Sequence, residues 1–159
     1  MKKLISLLII LIFVTANFAQ EKRAITVDDL WNMKRIGSFD VSSDASKIIF
    51  DLTTYDMESN KVQTDIYLIN SDGTNLKKIV ESASSPQFFD GGSKIFYSKK
   101  SQILTNDLTG NSEAKLTDIY TGVSGAEFSI DESMLLFSSS VYPECKTQEC
   151  NEKIGIAHV

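Results

Sequence analysis

The sequence predicts an all-β chain: an incomplete β-propeller of four-stranded blades, preceded by a signal peptide and one short helix. Three observations carry this reading. One strand pattern recurs at Val41–Phe50, Phe88–Tyr97 and Phe128–Phe137, with offsets of 47 and then 40 residues. A second pattern, strand–turn–strand, follows the first two copies at Asp65–Ile79 and Gln102–Leu116. The composition is that of an ordinary globular chain, 42% hydrophobic, 23% charged and 9% aromatic, which excludes disorder and collagen-like structure.

The first element is an address. Met1-Lys2-Lys3 is basic, residues 4–14 are apolar apart from Ser6, and residues 16–20 are small or polar apart from Phe18. This is the layout of a secretory signal over residues 1–19, with cleavage expected near Ala19. The apolar core is shorter than the roughly 20 residues a spanning helix needs. Export to the periplasm or the medium of a bacterium follows, with no membrane segment in the mature form. Removal of Lys2 and Lys3 from the 16 basic residues leaves 14 against 21 acidic ones, a net charge of −7. An acidic chain without a basic run implies no nucleic-acid partner.

Residues 20–37 form an N-terminal segment. The spacing predicts a helix over Thr26–Gly37: Thr26 at the N-cap, Asp28 and Asp29 in the first turn, and Leu30, Met33 and Ile36 as a stripe. Lys34 and Arg35 fall in the last turn, and Gly37 stands beyond it. No further helix is expected. Three blades follow, at about 38–83, 84–123 and 124–159, the last incomplete. Each full unit supplies an entering strand, a polar turn, a buried strand and a second hairpin closed by Asp72-Gly73 or Thr109-Gly110, where glycine accepts the positive φ of a tight turn. Four antiparallel strands per repeat of this length are a propeller blade. About two and a half blades are present, where propellers carry typically 4–8. The sequence therefore reads as the N-terminal piece of a longer protein, with closure by self-association as the alternative. Residues 154–159 match no blade pattern.

In an exported chain, Cys145 and Cys150 read as a local disulfide, with free thiols as the alternative. Only His158 could join them as a soft ligand, too few for zinc, so neither metal nor cofactor is expected. Asn70–Asn75 looks like part of a calcium loop, but position 79 is Ile where a Glu is needed, and a hairpin turn is the better account. Lys77-Lys78 and Lys99-Lys100 read as solvated charge. Phe88-Phe89 and Phe96-Tyr97 read as blade core.

The order of these features resembles a known family. Asp28-Asp29-Leu30 and Met33–Gly37 precede a blade opening Val41-Ser42-Ser43-Asp44, and Val141-Tyr142-Pro143-Glu144-Cys145 with Cys150-Asn151 comes later. This resembles the N-terminal propeller of secreted bacterial peptidases of the prolyl oligopeptidase family, in the dipeptidyl-peptidase 5-like and acylaminoacyl-peptidase-like branch. TolB-type and WD-type propellers share the plainer strand–turn–strand pattern. The resemblance implies a hydrolase domain following the propeller, with Ser, Asp and His acting on short peptides and the propeller gating and orienting them. Trp31 would face that domain. The family's Gly-x-Ser-x-Gly elbow is not in this sequence; Gly122-Val123-Ser124-Gly125 has the wrong spacing. No catalytic residue is assigned to this chain, and its substrate-binding residues are unassigned. The family's Ser-Pro-Asp-Gly blade turn is reduced here to Ser42-Ser43-Asp44-Ala45 and Ser129-Ile130-Asp131-Glu132. A TolB-type protein-binding scaffold without catalysis is the alternative function.

Overall fold

The computed structural model describes residues 23–157. The signal-peptide reading and His158 lie outside them. The chain divides between Leu30 and Trp31 into two compact units.

The helix is half the expected length. α1 covers Val27–Asn32. Its start follows a capping-box logic: Asp29 N–H donates to Thr26 Oγ1 at 3.3 Å, and Asp29 Oδ2 accepts from Thr26 N–H at 2.9 Å. Arg23 clamps the same carboxylate. The residues expected to finish the helix belong instead to a strand. Arg35 and Ile36 pair with Thr53 and Leu52. A Cβ on Gly37 would sit 2.1 Å from Asp51 Oδ1, so Gly37 serves a close backbone approach and not a helix end.

The strands form three antiparallel sheets. The first has the order β1 (Arg35–Val41), β2 (Lys47–Asp56), β3 (Lys61–Asn70) and β4 (Lys77–Val80). The second has β5 (Ser84–Phe89), β6 (Lys94–Lys99), β7 (Gln102–Asp107) and β8 (Ala114–Lys115). The third has β9 (Ser124–Phe128) and β10 (Leu135–Ser138). The repeat read in the sequence is a repeat of register. Val41 pairs with Ile48, Phe88 with Ile95 and Phe128 with Leu135. The architecture is a partial propeller with two complete blades and the first hairpin of a third.

Two cores hold the blades together, and the alternation of strand side chains explains both. In β6, Ile95 and Tyr97 join Ile49, Ile66, Leu68 and Leu104 in the contact between blades one and two. Phe96, between them in sequence, points the other way and joins Ile103 and Val123, with Phe89, Phe128 and Leu135 packed on them. Successive strand residues face opposite sides, so a blade covered on both sides needs a continuous apolar run. Phe128 stacks on Phe89 at 5.2 Å and meets the edge of Phe96 at 4.9 Å.

A second helix appears where none is expected. α2 covers Gln148–Ala157. Its apolar stripe is poor, and anchors from outside the helix supply what propensity lacks. Cys150 N–H donates to Thr147 Oγ1 at 3.3 Å at its start. Buried Asn151 accepts from Tyr142 N–H at 2.9 Å and donates to the Thr147 carbonyl at 3.0 Å. Cys145 and Cys150 are disulfide-bonded, with Cα atoms 5.3 Å apart. Gly155 lies flat on Tyr120, whose ring a Cβ would approach to 2.7 Å.

Candidate functional site

The antiparallel order places every connection at one of two ends of the blades, and the two ends differ in chemistry. One end carries the turns that open each blade; those of blades one and three are copies of one another, while blade two turns through the 3-10 segment Asp90–Gly92. Ser42 Oγ donates to Asp44 Oδ1 at 2.6 Å and receives Lys47 N–H at 2.9 Å. Ser129 Oγ donates to Asp131 Oδ1 at 2.6 Å and receives Met134 N–H at 3.0 Å. Ser46 and Ser133 donate to the same aspartates. The second hairpins repeat a simpler device: Thr74 N–H and Thr109 N–H bond to Asp72 and Asp107 at 2.9 and 2.8 Å. Donors converge on these carboxylates and hold them below the usual range, Ser42 chiefly for Asp44, Ser129 for Asp131, Thr74 for Asp72 and Thr109 for Asp107. This accounts for Asn70–Asn75 as a hairpin, with Gly73 at φ 83°.

At the opposite end the connections differ between blades: residues 57–60 join β2 to β3 where Lys100-Ser101 join β6 to β7, and residues 81–83 join the first blade to the second where 116–123 join the second to the third. This end also holds α2 with its disulfide. The β6–β7 loop is two residues, Lys100 and Ser101, both at positive φ (50° and 57°) without a glycine. Val123 N–H donates to the Ser101 carbonyl at 2.9 Å, which ties the turn to the next blade. A cleft of about 280 Å³ opens here between blades one and two, lined by Gln63, Thr64, Ser82, Ser84, Lys99 and Lys100 among others. A second, of about 240 Å³, lies among the entering strands, with Ser38, Ser85, Gln87 and Gly125 in its wall. Lys99 Nζ bonds Glu113 at 2.7 Å, and Tyr97 Oη donates to the same carboxylate at 2.9 Å. Lys99 keeps the Glu113 carboxyl low, while burial first and Glu113 second push the Tyr97 hydroxyl up.

These clefts offer hydroxyls, two amides and cations beside apolar side chains, Val62 and Ala83 in the first and Phe96 and Ile103 in the second. Among the described residues, Ser42, Ser93 and Ser129 bond carboxylates within turns, at the other end of the blades. Gly122-Val123 leads into β9 and Ser124-Gly125 opens it, with Gly122 and Gly125 at positive φ (79° and 61°) and Ser124 Oγ 3.0 Å from Ser138 Oγ. Among the described residues no group of three His, Cys, Asp or Glu is placed to hold a metal ion.

Lys77, Lys78 and Lys100 are exposed, as solvated charge requires. Lys77 Nζ reaches the Leu108 carbonyl of the next blade at 2.7 Å, and Lys78 bonds Asp65 and Glu81. Lys99 is half-buried and paired with Glu113. Phe88, Phe89, Phe96 and Tyr97 pack into the two cores as expected. Trp31 meets Tyr55 edge-on at 5.9 Å, and Arg35 lies 4.4 Å over the Tyr55 ring. Sequence reading passed over Asp40 and Asp51. Their carboxylates accept Phe88 N–H and Ser85 N–H, both at 2.8 Å, and so cap the edge of β5 from the neighbouring blade. The signal lay in acidic residues at interior strand positions, where charge is otherwise avoided.

With this geometry in hand, the likeness to known proteins is specific. Over 123 residues the chain is 25% identical to dipeptidyl-peptidase 5 of Porphyromonas endodontalis. The chain is homologous to dipeptidyl-peptidase 5. The match covers 73% of this chain and 18% of that protein, so the chain corresponds to under a fifth of its relative. Among solved structures, Pyrococcus horikoshii acylaminoacyl peptidase superposes with a TM-score of 0.61 at 23% identity, over 74% of this chain and 19% of that one. The β-propeller domain of the Trilobed protease from Pyrococcus furiosus, described as having an open velcro topology, gives 0.53 at 19% identity, over 65% and 33%. No family model matches the chain. The structural likenesses show the fold, which is that of a propeller, and the homology shows a peptidase-related origin.

Proposed function

We propose that this chain is the propeller portion of an exported serine peptidase acting on short peptides, in which the blades gate and orient the substrate. The observation that supports it most is the homology to dipeptidyl-peptidase 5 together with the blade order. The chemistry then resides in a hydrolase domain outside this sequence, which would attack the peptide carbonyl through an acyl-enzyme. The end of the blades where the connections differ is the functional face of this reading. Binding residues concentrate on irregular connections held by a rigid scaffold, and the clefts beside Lys100 and Gln87 open there. A chimera tests this. Residues 31–157 replace the matching segment of the Porphyromonas endodontalis enzyme, and release of dipeptides from short and long peptides is measured. Retained hydrolysis with a preference for short peptides is expected. A folded chimera that hydrolyses neither, or this chain alone hydrolysing peptides, overturns the proposal.

A further inference from the structure

Serine hydroxyls at the blade-opening end are committed to their own turns: Ser42, Ser46, Ser129 and Ser133 bond Asp44 or Asp131. The cleft of about 280 Å³ between blades one and two is different. Ser84, Ser98 and Ser101 line it, with Ser84 and Ser98 as cross-strand partners on β5 and β6. Among the described residues none of these three hydroxyls has a hydrogen-bond partner, and each residue is half-buried or exposed.

The charge of the wall is one-sided. It contains Lys99 and Lys100 and no carboxylate, in a chain of net charge −5. Lys99 is engaged by Glu113 at 2.7 Å. Lys100 is exposed and makes no hydrogen bond or ion pair among the described residues. Asp65 is not in the wall, and its oxygens take Gln63 Nε2, Ser82 N–H and Lys78. The cleft therefore presents one uncommitted ammonium and three uncommitted hydroxyls beside the apolar Val62 and Ala83.

The wall is also fixed in place. Ser82 N–H bonds Asp65 at 3.0 Å and Ser85 N–H bonds Asp51 at 2.8 Å, so blade one holds the entry to β5. Val123 N–H holds the Ser101 carbonyl at 2.9 Å. Ser82, Ser85, Lys100 and Ser101 have φ between 50° and 57°, and they are four of the nine non-glycine residues with positive φ. A two-residue turn with this backbone favours Asn-Gly, yet Lys100-Ser101 stands here. Left-handed backbone without glycine clusters at ligand clamps, where the surrounding fold over-determines it.

We propose that this cleft is a carboxylate-binding subsite that takes the C-terminal end of a short peptide. Lys100 supplies the charge, the hydroxyls of Ser84, Ser98 and Ser101 supply hydrogen bonds, and Val62 and Ala83 face the terminal side chain. One unpaired ammonium matches a singly charged group, and a carboxylate accepts several neutral donors besides. No arginine fork of the kind that favours phosphate lines the cleft. The peptide as source of the carboxylate rests on the peptidase reading above; the site itself rests on the wall.

Nuclear magnetic resonance titration of the full, isotope-labelled chain tests this with trialanine, trialanine amide and inorganic phosphate. Trialanine is expected to shift the amide signals of Ser84, Ser98, Lys100 and Ser101 saturably, and the amide and phosphate to leave them in place. Lys100→Asn removes the charge, and asparagine accepts the left-handed backbone at that position. It is expected to weaken trialanine binding on the order of tenfold, while Lys94→Gln, at the other end of β6, leaves binding unchanged. The contrast between acid and amide in the wild type decides the matter without any variant. No shift at these four amides, an equal response to the amide or to phosphate, or undiminished binding by a folded Lys100→Asn overturns the proposal. The readout needs no hydrolase domain. A chimera that hydrolyses peptides while trialanine fails to bind here removes this subsite alone, and trialanine binding beside an inactive chimera removes the peptidase reading alone.

Discussion

The blade-opening turn places Ala45 at φ 55° and Glu132 at φ 56°, in the left-handed region where the family pattern has glycine. Left-handed backbone costs a residue with a Cβ about 1–2 kcal/mol. Glycine removes that cost but gains freedom in the unfolded chain, which returns about 0.4–1 kcal/mol. Ala45 is exposed, and its bond, Ala45 N–H to the Ser42 carbonyl at 2.7 Å, is backbone only. Ala45→Gly is therefore expected to stabilise by about 0.5–1 kcal/mol, or roughly 2–5 °C in Tm for a chain of this size. Glu132 sits in the same turn but does a second thing: its Oε2 accepts Asp90 N–H from blade two at 2.7 Å. A hydrogen bond to a charged group contributes about 1.5–3 kcal/mol at most, and less where water competes. Glu132→Gly is accordingly expected to be neutral or destabilising. The assay is thermal unfolding followed by circular dichroism on the wild type and both variants. An Ala45→Gly variant that melts at or below the wild type would refute the strain argument. Equal gains for both variants would refute the role of Glu132 between blades.

Gly110→Ala is expected to lower Tm far more than Gly73→Ala, although both glycines have positive φ (86° and 83°): a Cβ at 110 would lie 2.5 Å from the Ile79 carbonyl, and one at 73 meets nothing within 4 Å. Asp51→Ala removes a buried carboxylate and takes from Ser85 N–H its 2.8 Å charged acceptor, a part-buried bond, and is expected to cost about 1–3 kcal/mol in urea unfolding. The turn carboxylates Asp44, Asp72, Asp107 and Asp131 titrate lower in the fold than at the ordinary value of 3.8. The stability they confer is complete above that pH and is lost as pH falls below it; Asp44→Asn is expected to flatten the fall of Tm between pH 5 and pH 2.

How much of this was legible in the sequence depends on whether a feature repeats. The strand register could be read because Val41, Phe88 and Phe128 stand at the same place in three copies, and the pairings Val41–Ile48, Phe88–Ile95 and Phe128–Leu135 are what that place means. The turns could be read because Asp44 and Asp131 each gather the same local donors, a device contained within a few residues. The features that escaped are set by partners distant in sequence. Thr26–Gly37 carries helix signals to its end, yet Arg35 and Ile36 leave the helix because β2, arriving from residues 52 and 53, offers a full ladder. Local propensity is weak beside that. In the opposite direction, Gln148–Ala157 lacks a helical stripe, and the helix persists because Asn151, Gly155 and the disulfide tie it to Tyr142, Tyr120 and Cys145. Asp40 and Asp51 look like solvated charge in a strand, and only the adjacent blade reveals them as caps for β5. The candidate site falls on the same side of this divide. What repeats in this chain is the frame that any blade needs, while Lys100-Ser101 and the 116–123 segment differ in length from their blade-one counterparts and α2 stands beside them at the same end. A sequence met alone shows the repeated part first, and the part that varies is where the function of this propeller is to be sought.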